Sequence, residues 1–241
     1  MSVRANIEPL VWDSEFFHLS CARLEFDERA KVLAPTDLNV FQLVQAKVPA
    51  HQLALIDGLS ALGFSLAEGE IDLEIKVGME HALIPSPEDA FNVVVADASH
   101  ISLLREAASA AFRLSRFRTP WYHEQDSERF YALWVEKAVL GTFDHQCLLV
   151  QDASGHPMGF VTLRDLGSAE ARIGLLAAWP GCSGKGIGSR LMQAAKRWCA
   201  DKNITLLKVA TQTGNVAAQR LYIRCGATVS STAYWLYRGL P

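Results

Sequence analysis

The sequence predicts an α+β protein built on a mixed sheet. Three observations carry that prediction: three strand patterns in succession between residues 146 and 177, a change after them to a glycine-rich loop followed by helix, strand and helix patterns, and a leading segment of different composition. The chain has 241 residues, 50% of them apolar and 20% charged, which is globular rather than disordered or fibrous composition.

In chain order, Val40 to Gln45 and Gln52 to Leu59 have the look of short helical or mixed segments, and Phe64 to Ile75 reads as a strand. Val77 to Asp89 lacks a sustained period and carries Pro85 and Pro87, so a linker is expected over 81–91. That divides the chain into a smaller amino-terminal α/β domain at 1–80 and a second domain at 92–241. Asp97 can cap a helix with apolar positions at Ile101, Leu104, Ala108 and Ala111, and a second helix follows the loop Arg116 to Trp121, through Phe130, Leu133, Trp134 and Lys137. Then come three hairpin-linked strands, Gln146 to Val150, Met158 to Arg164 and Glu170 to Ala177. The remainder reads as a helix from Gly188 to Asp201, a strand from Leu206 to Thr211, a helix from Asn215 to Cys225 stopped by Gly226, and a last strand from Ala233 to Arg238. A parallel crossover is expected around the Gly188 helix.

Composition narrows the function. No run approaches the roughly 18–20 apolar residues of a membrane helix, and no signal-type apolar stretch follows Met1, so a soluble cytoplasmic protein without membrane insertion is expected. Five scattered cysteines form no pair or cluster with histidines, against both a disulfide framework and a metal site. Residues 1–80 hold 6 Lys/Arg against 13 Asp/Glu, and residues 81–241 hold 17 against 13. That mild basic balance is too weak for a nucleic-acid partner and suits a small polyanion.

Gly181-Cys182-Ser183-Gly184-Lys185-Gly186-Ile187-Gly188 lies between a strand and a helix. Its glycines let backbone N–H groups converge at a helix N-terminus, where a diphosphate would be held. It is neither a Walker A loop nor a dinucleotide fingerprint; a plain flexible turn with a solvated lysine is the alternative. Further on, Asn215, Ala218, Leu221, Tyr222, Arg224, Gly226 and Ala227 stand at the spacing Asn-X-X-Ala-X-X-Leu-Tyr-X-Arg-X-Gly-Ala.

Together these two motifs resemble those of the GCN5-related N-acetyltransferase (GNAT) family. The family's loop, Arg/Gln-X-X-Gly-X-Gly/Ala, is matched at Gly186 and Gly188 but has Ser183 in place of Arg or Gln. The resemblance implies the acyl-CoA N-acyltransferase fold and acetyl-CoA as co-substrate. It implies contacts to acetyl-CoA from Leu175, Leu176 and Ala177, from Ser183, Gly184, Lys185, Gly186, Ile187 and Gly188, and from Asn215 and Leu221. Tyr222 takes the place of the family's proton donor to the departing thiolate; without the motif it would read as a buried helix aromatic. Direct transfer leaves Cys182 without a nucleophile's role.

Glu68, Glu70, Asp72 and Glu74 alternate along the expected strand and so share one face. Such a row is often only the wet side of a sheet. An acceptor ammonium would nevertheless be drawn to it, and Glu68 is the candidate to receive the amine proton. Over nearly the whole chain, including Trp12 to Phe17, Leu62 to Leu73, Ser115 to Tyr122 and Ser231 to Arg238, the sequence is similar to the branch of the family that acetylates a nucleotide sugar. The implied acceptor is dTDP-4-amino-4,6-dideoxy-D-galactose, acetylated on its 4-amino group. Arg116 and Arg118 are the candidate diphosphate clamp, with Phe117, Trp121 or Tyr122 for stacking on base or sugar; the alternative is that these aromatics wedge the two helices together. A peptide N-acetyltransferase and a nonenzymatic acyl-CoA-binding module remain the rival functions, and a homodimer is left open.

Overall fold

The computed structural model describes residues 2–78, 91–182 and 184–239. Its elements are β1 (Ala5–Pro9), α1 (Val11–Phe17), β2 (Cys21–Phe26), α2 (Pro35–Leu38), β3 (Leu43–Pro49), α3 (Leu53–Ala61), β4 (Ser65–Lys76), β5 (Phe91–Val95), α4 (Ile101–Ala111), α5 (Asp126–Val139), β6 (Gln146–Asp152), β7 (Pro157–Gly167), β8 (Glu170–Ala178), α6 (Ile187–Asp201), β9 (Leu206–Gln212), α7 (Val216–Arg224) and β10 (Thr228–Gly239). No described helix is long and apolar enough to cross a membrane.

The described strands form one ten-stranded sheet in the order β1-β2-β3-β10-β4-β9-β8-β7-β6-β5. β2–β3 and β8–β9 pair in parallel, and the other neighbours are antiparallel. The last strand of the chain, β10, lies between β3 and β4. Backbone hydrogen bonds therefore tie the first 80 residues to the rest of the chain along one continuous sheet. The expected linker falls almost wholly on residues outside those described.

Two elements differ from the sequence expectation. Val40 to Gln45 is expected as helical or mixed, whereas Leu43–Pro49 forms β3: all but Lys47 and Pro49 are buried, and burial on both faces erases the period-2 signal of a half-exposed strand. β5 begins at Phe91, inside the expected linker, and forms the sheet edge with Val93 and Val95 exposed. Its run of β-branched residues was the available sign.

Alternation along β6 divides the core between the two faces. Leu148 and Val150 pack with Leu191, Met192, Ala195 and Trp198 of α6 and with Tyr222 of α7. Cys147 and Leu149 pack with Leu104 and Ala108 of α4 and Tyr131 and Val135 of α5. β8 begins with Ala171 and Ile173 on the α6–α7 side, but Leu175 and Ala177 belong to the α4–α5 side. The reversal comes from a β-bulge: Ile173 pairs with Leu163 and Leu176 with Val161, so Gly174 and Leu175 together oppose Thr162. An extra residue flips the side-chain alternation beyond it and bends the strand.

Candidate active site

β8 and β9 pair only as far as Ile173 and Val209, although β8 continues to Ala178 and β9 to Gln212. Past the bulge they diverge. Each lip is held from its outer side, β8 by β7 through Ala178 and β9 by β4 through Gln212. The opening is a cavity of about 330 Å³ lined by Gly174 to Leu176, Val209 to Gln212, Asn215, Leu221 and Tyr222, together with Lys47, Glu68, Glu70, Arg116 and Trp235. A neighbouring recess of about 520 Å³ shares Leu176, Gln212 and Asn215 and runs along Ala177 to Pro180 and the end of α4.

Buried polar groups hold the bulge. The Leu175 N–H donates to Thr162 Oγ1 at 2.8 Å. Thr162 Oγ1 donates to Asp144 Oδ2 at 2.6 Å, and Trp134 Nε1 donates to the same oxygen at 2.8 Å. Asp144 and Thr162 are both buried. Position 174 must be glycine, because a Cβ there would collide with the Asp144 carboxylate and with Thr162 Oγ1. The Leu175 N–H points toward β7, as does that of Trp179, which donates to Met158 O at 2.8 Å. Alternation along the strand then turns the Leu176 N–H to the other edge, into the cleft. Of the three positions expected to offer backbone donors to a thioester, Leu175 has its N–H already engaged and Leu176 has it aimed at the opening. The sequence reasoning missed Asp144, Thr162 and Gly174; a lone aspartate in Gly141 to Gln146 carries no spacing signal.

On the other lip, Asn215 ends the turn after β9, and its Oδ1 accepts from Ala218 N at 3.2 Å as the cap of α7. That cap sets the helical phase that carries Tyr222 to the cleft. Burial pushes the Tyr222 phenol up to about 12, the Cys225 thiol adding to the rise. The phenol thus keeps its proton at any working pH. No protein hydrogen bond claims its hydroxyl among the described residues.

Beyond β8, Gly184 and Gly186 take φ of +80° and +77°, a region glycine enters at no steric cost. Gly186 caps α6 without a side-chain hydrogen bond, and the first intrahelical bond runs from Arg190 N to Gly186 O. The N–H groups of Ile187 and Gly188 are therefore not used within the helix. Gly188 also packs directly against Leu221: a Cβ there would lie 2.7 Å from Leu221 Cδ2. Lys185 is exposed, and Ser183 lies outside the described residues.

The acidic row of β4 has three electrostatic environments. Glu70 accepts from Lys47 Nζ at 2.5 Å and from Trp235 Nε1 at 2.9 Å. Burial alone would raise its pKa, but those two hydrogen bonds outweigh it and hold the carboxyl below its ordinary value. Asp72 accepts from Ser231 Oγ at 3.0 Å and lies 3.4 Å from Lys47 Nζ. Glu68 has no side-chain donor of that kind and accepts instead from the Arg116 backbone. Burial raises its pKa to about 7, partly offset by Arg116 and reinforced by Glu70. It lines the same cleft as Tyr222.

The residues expected to hold the acceptor take different positions. Phe117 and Tyr122 are 5% and 4% exposed and pack with Phe17, Phe130 and Tyr131, so neither offers a free face for stacking. They are the wedge between helices and sheet. The Arg116 guanidinium lies between the rings of Phe117 and Trp235, and its Nη1 donates to Gln45 Oε1 at 3.2 Å and to the Tyr237 hydroxyl. Arg118 is exposed and donates from Nη2 to Ala67 O at 3.1 Å, tying the loop to β4 next to Glu68. Arg116 and Arg118 thus hold the loop in place, and Arg116 also faces the cleft. Among the described residues no group of three His, Cys, Asp or Glu side chains could hold a metal.

A parallel pair splayed at a bulge, a glycine-rich turn into α6 and a tyrosine at the opening define an acetyltransferase architecture. Residues 104–227 match the acetyltransferase (GNAT) family, and the chain belongs to that family. It is 49% identical over 238 residues to dTDP-fucosamine acetyltransferase of Escherichia coli O6:H1, covering 99% of this chain and 100% of that protein. A streptothricin acetyltransferase of Escherichia coli is 34% identical over 58 residues, or 24% of this chain and 33% of that one. Among solved structures, a GCN5-related N-acetyltransferase from Kribbella flavida superposes with a TM-score of 0.64 at 16% identity, over 100% of this chain and 91% of that one. A functionally unknown conserved protein from Staphylococcus epidermidis superposes at 0.67 with 14% identity, over 100% and 93%. At such identities these two show the shared fold alone.

Two outcomes are expected from the geometry. Gly174→Ala or Thr162→Val should lower stability by about 1–3 kcal/mol, the first by overpacking against a carboxylate that cannot move aside and the second by orphaning a buried N–H. Thr162→Ser should stay near the unaltered protein in thermal unfolding; equal melting of all four proteins would remove the relay as the bulge's support. In a carboxyl ¹³C NMR titration, Glu68 should be protonated below about pH 7 and ionised above it, and that transition should vanish in Glu68→Gln.

Proposed function

We propose that the protein transfers the acetyl group of acetyl-CoA to the 4-amino group of dTDP-4-amino-4,6-dideoxy-D-galactose. One observation carries the reading: a single cleft between diverging strands is lined at once by Glu68, a carboxyl poised near neutrality, and by Tyr222, a phenol that keeps its proton. The full-length relative acting on dTDP-fucosamine supports this acceptor.

Transfer from a thioester to an amine needs a neutral amine, a donor at the developing oxyanion and a proton for the leaving thiolate. The acceptor nitrogen attacks the thioester carbonyl carbon and forms the C–N bond. The Leu176 N–H, held in orientation by the bulge, donates to the carbonyl oxygen as negative charge grows there; because it is fixed in advance, it costs no reorganisation in the transition state. The C–S bond then breaks, and Tyr222 gives its proton to the sulfur. The same burial that raises the phenol also raises a thiol departing into this cleft, so the two stay matched. The proton shed by the amine goes to Glu68, directly or through a water. A carboxylate with a pKa near 7 accepts a proton far more readily than one at its ordinary value and is still largely ionised just above neutrality. Glu70 and Asp72, sharing the charge of Lys47 and with Asp72 also hydrogen-bonded by Ser231, leave a partly compensated acidic surface that attracts an ammonium without trapping it.

Acetyl-CoA is held by backbone more than by side chains in this reading. The unused N–H groups at the start of α6, in the turn of Gly184 to Gly188, receive its diphosphate. Its pantetheine amides pair with the free edges of Leu176 to Ala178 and Ala210 to Gln212 as an added strand. Leu221 and Asn215 flank the opening. Lys185, exposed at the turn, adds positive charge, and Ser183 lacks the guanidinium or amide of the family's usual residue at that place.

Free thiol release from acetyl-CoA should be rapid with the galacto-configured dTDP-4-amino sugar and absent with amino-terminal peptides; the reverse pattern sinks the assignment. Tyr222→Phe should lower kcat by about 10²–10⁴-fold while leaving the KM for acetyl-CoA near its original value. Because Glu68 works as a base, activity should rise with pH through about 7 and level off above it. Glu68→Gln should lose that limb as well as turnover, and a profile unchanged by the substitution would transfer the base to another group.

A further inference from the structure

The acceptor of the proposed reaction has two ends. Its amine must enter the cleft beside Glu68, whereas its pyrimidine ring stands a hexose and a diphosphate away. The base therefore needs a second recess next to the cleft, and Phe117 and Tyr122 are too deeply buried to provide it.

A recess of about 300 Å³ meets that requirement, lined by Trp12 and Asp13 of α1, by Phe130, Leu133, Trp134 and Lys137 of α5, and by Arg116, Phe117 and Phe143. It shares Arg116, Phe117 and Trp134 with the acetyl-transfer cleft, so the two adjoin. Two of its rings reach solvent: Trp12, stacked on Phe16 through one face, and Phe143, set edge-on to Trp134, are each 42% exposed. The Lys137 ammonium lies 5.1 Å from the Trp12 ring centroid and has no carboxylate partner among the described residues. On the same wall, the Asp13 carboxylate accepts from Gln45 Nε2 at 3.5 Å and from its own backbone, and a carboxylate can accept more. Partly exposed aromatic rings, an ammonium without a carboxylate partner and a carboxylate with acceptor capacity to spare are what a nucleoside diphosphate needs: surfaces for the base, a charge for the diphosphate and an oxygen for a ring N–H or sugar hydroxyl.

Resting on the nucleotide-sugar reading above, we propose that the pyrimidine base of the acceptor lodges among Trp12, Trp134 and Phe143, with Lys137 and Arg116 countering its diphosphate. Base selection then belongs to α1 and α5, outside the machinery that handles acetyl-CoA. The arrangement also gives the amino-terminal segment a direct part in binding the acceptor, since Trp12 and Asp13 come from its first helix.

The test is titration of the full chain with dTDP, followed by tryptophan fluorescence and by calorimetry, in the unaltered protein and in Trp12→Leu and Lys137→Gln. Saturable dTDP binding is expected, weakened roughly tenfold or more in each variant, while both variants still bind acetyl-CoA. Should Trp12→Leu fold poorly, Lys137→Gln, a change at a surface cation, carries the comparison. Unchanged dTDP affinity in the variants, or no dTDP binding by the unaltered protein, overturns the recess as the base site. The fate of the acceptor assignment is read separately: thiol release with the dTDP-amino sugar in the unaltered protein keeps that assignment standing even if the recess falls, and its absence removes it.

Discussion

The hydrogen bond from the Leu175 N–H to the Thr162 hydroxyl is the contact on which the geometry of the cleft depends. A bulge ordinarily leaves backbone groups unpaired, and a buried unpaired N–H is costly. Here a side chain takes the place of the missing ladder carbonyl, and a buried carboxylate, itself held by an indole, fixes that side chain. The bulge can then persist in the middle of a sheet, with β8 still paired to β7 on its outer side. Three consequences follow: β8 parts from β9, its side chains change faces, and the Leu176 N–H turns toward the opening.

Charge is arranged with the same economy around β4. Four carboxylates on one face would repel one another and would raise each other's proton affinity. Lys47 and Trp235 from the adjoining strands satisfy Glu70, and Ser231 satisfies Asp72. Glu68 is left at the end of the row, where the Arg118 loop and the aromatic wedge remove water from around it. Its raised pKa follows from burial, which outweighs the opposing pull of Arg116 and Arg118. The same wedge joins the two halves of the molecule, because Gln45 of β3, Tyr122 and Arg116 of the loop and Tyr237 of β10 share one buried set of hydrogen bonds. Removing Arg116 would disturb that set as well as the cleft, which makes it a poor probe of acceptor binding alone.

Much of this was legible in the chain. The meander, the crossover helix and the capped tyrosine helix follow from periodicity and from glycine, asparagine and turn residues, all local effects within a few residues of one another. The two glycine and tyrosine motifs are local too, since a turn into a helix needs its positive φ values in one short stretch. β3 and β5 were not legible as strands: a strand covered on both sides shows no alternation to read, and β5 begins within the expected linker.

What only the tertiary structure decided is which distant groups meet. Asp144, Thr162, Gly174 and Trp134 come from four separate segments, and no spacing along the chain announces a bulge that depends on all of them. Phe117 and Tyr122 have the residue types of a stacking platform, yet their exposure is set by how α1 and α5 close over them, while Trp12 and Phe143 remain open to solvent for the same reason. Sequence thus determined element type, family and the catalytic pair of Tyr222 and Glu68 as candidates, since short-range backbone preference and motif chemistry govern these. Burial, charge compensation and the aim of a single N–H were decided by packing between residues far apart in the chain, because desolvation and electrostatic energy depend on what surrounds a group in space.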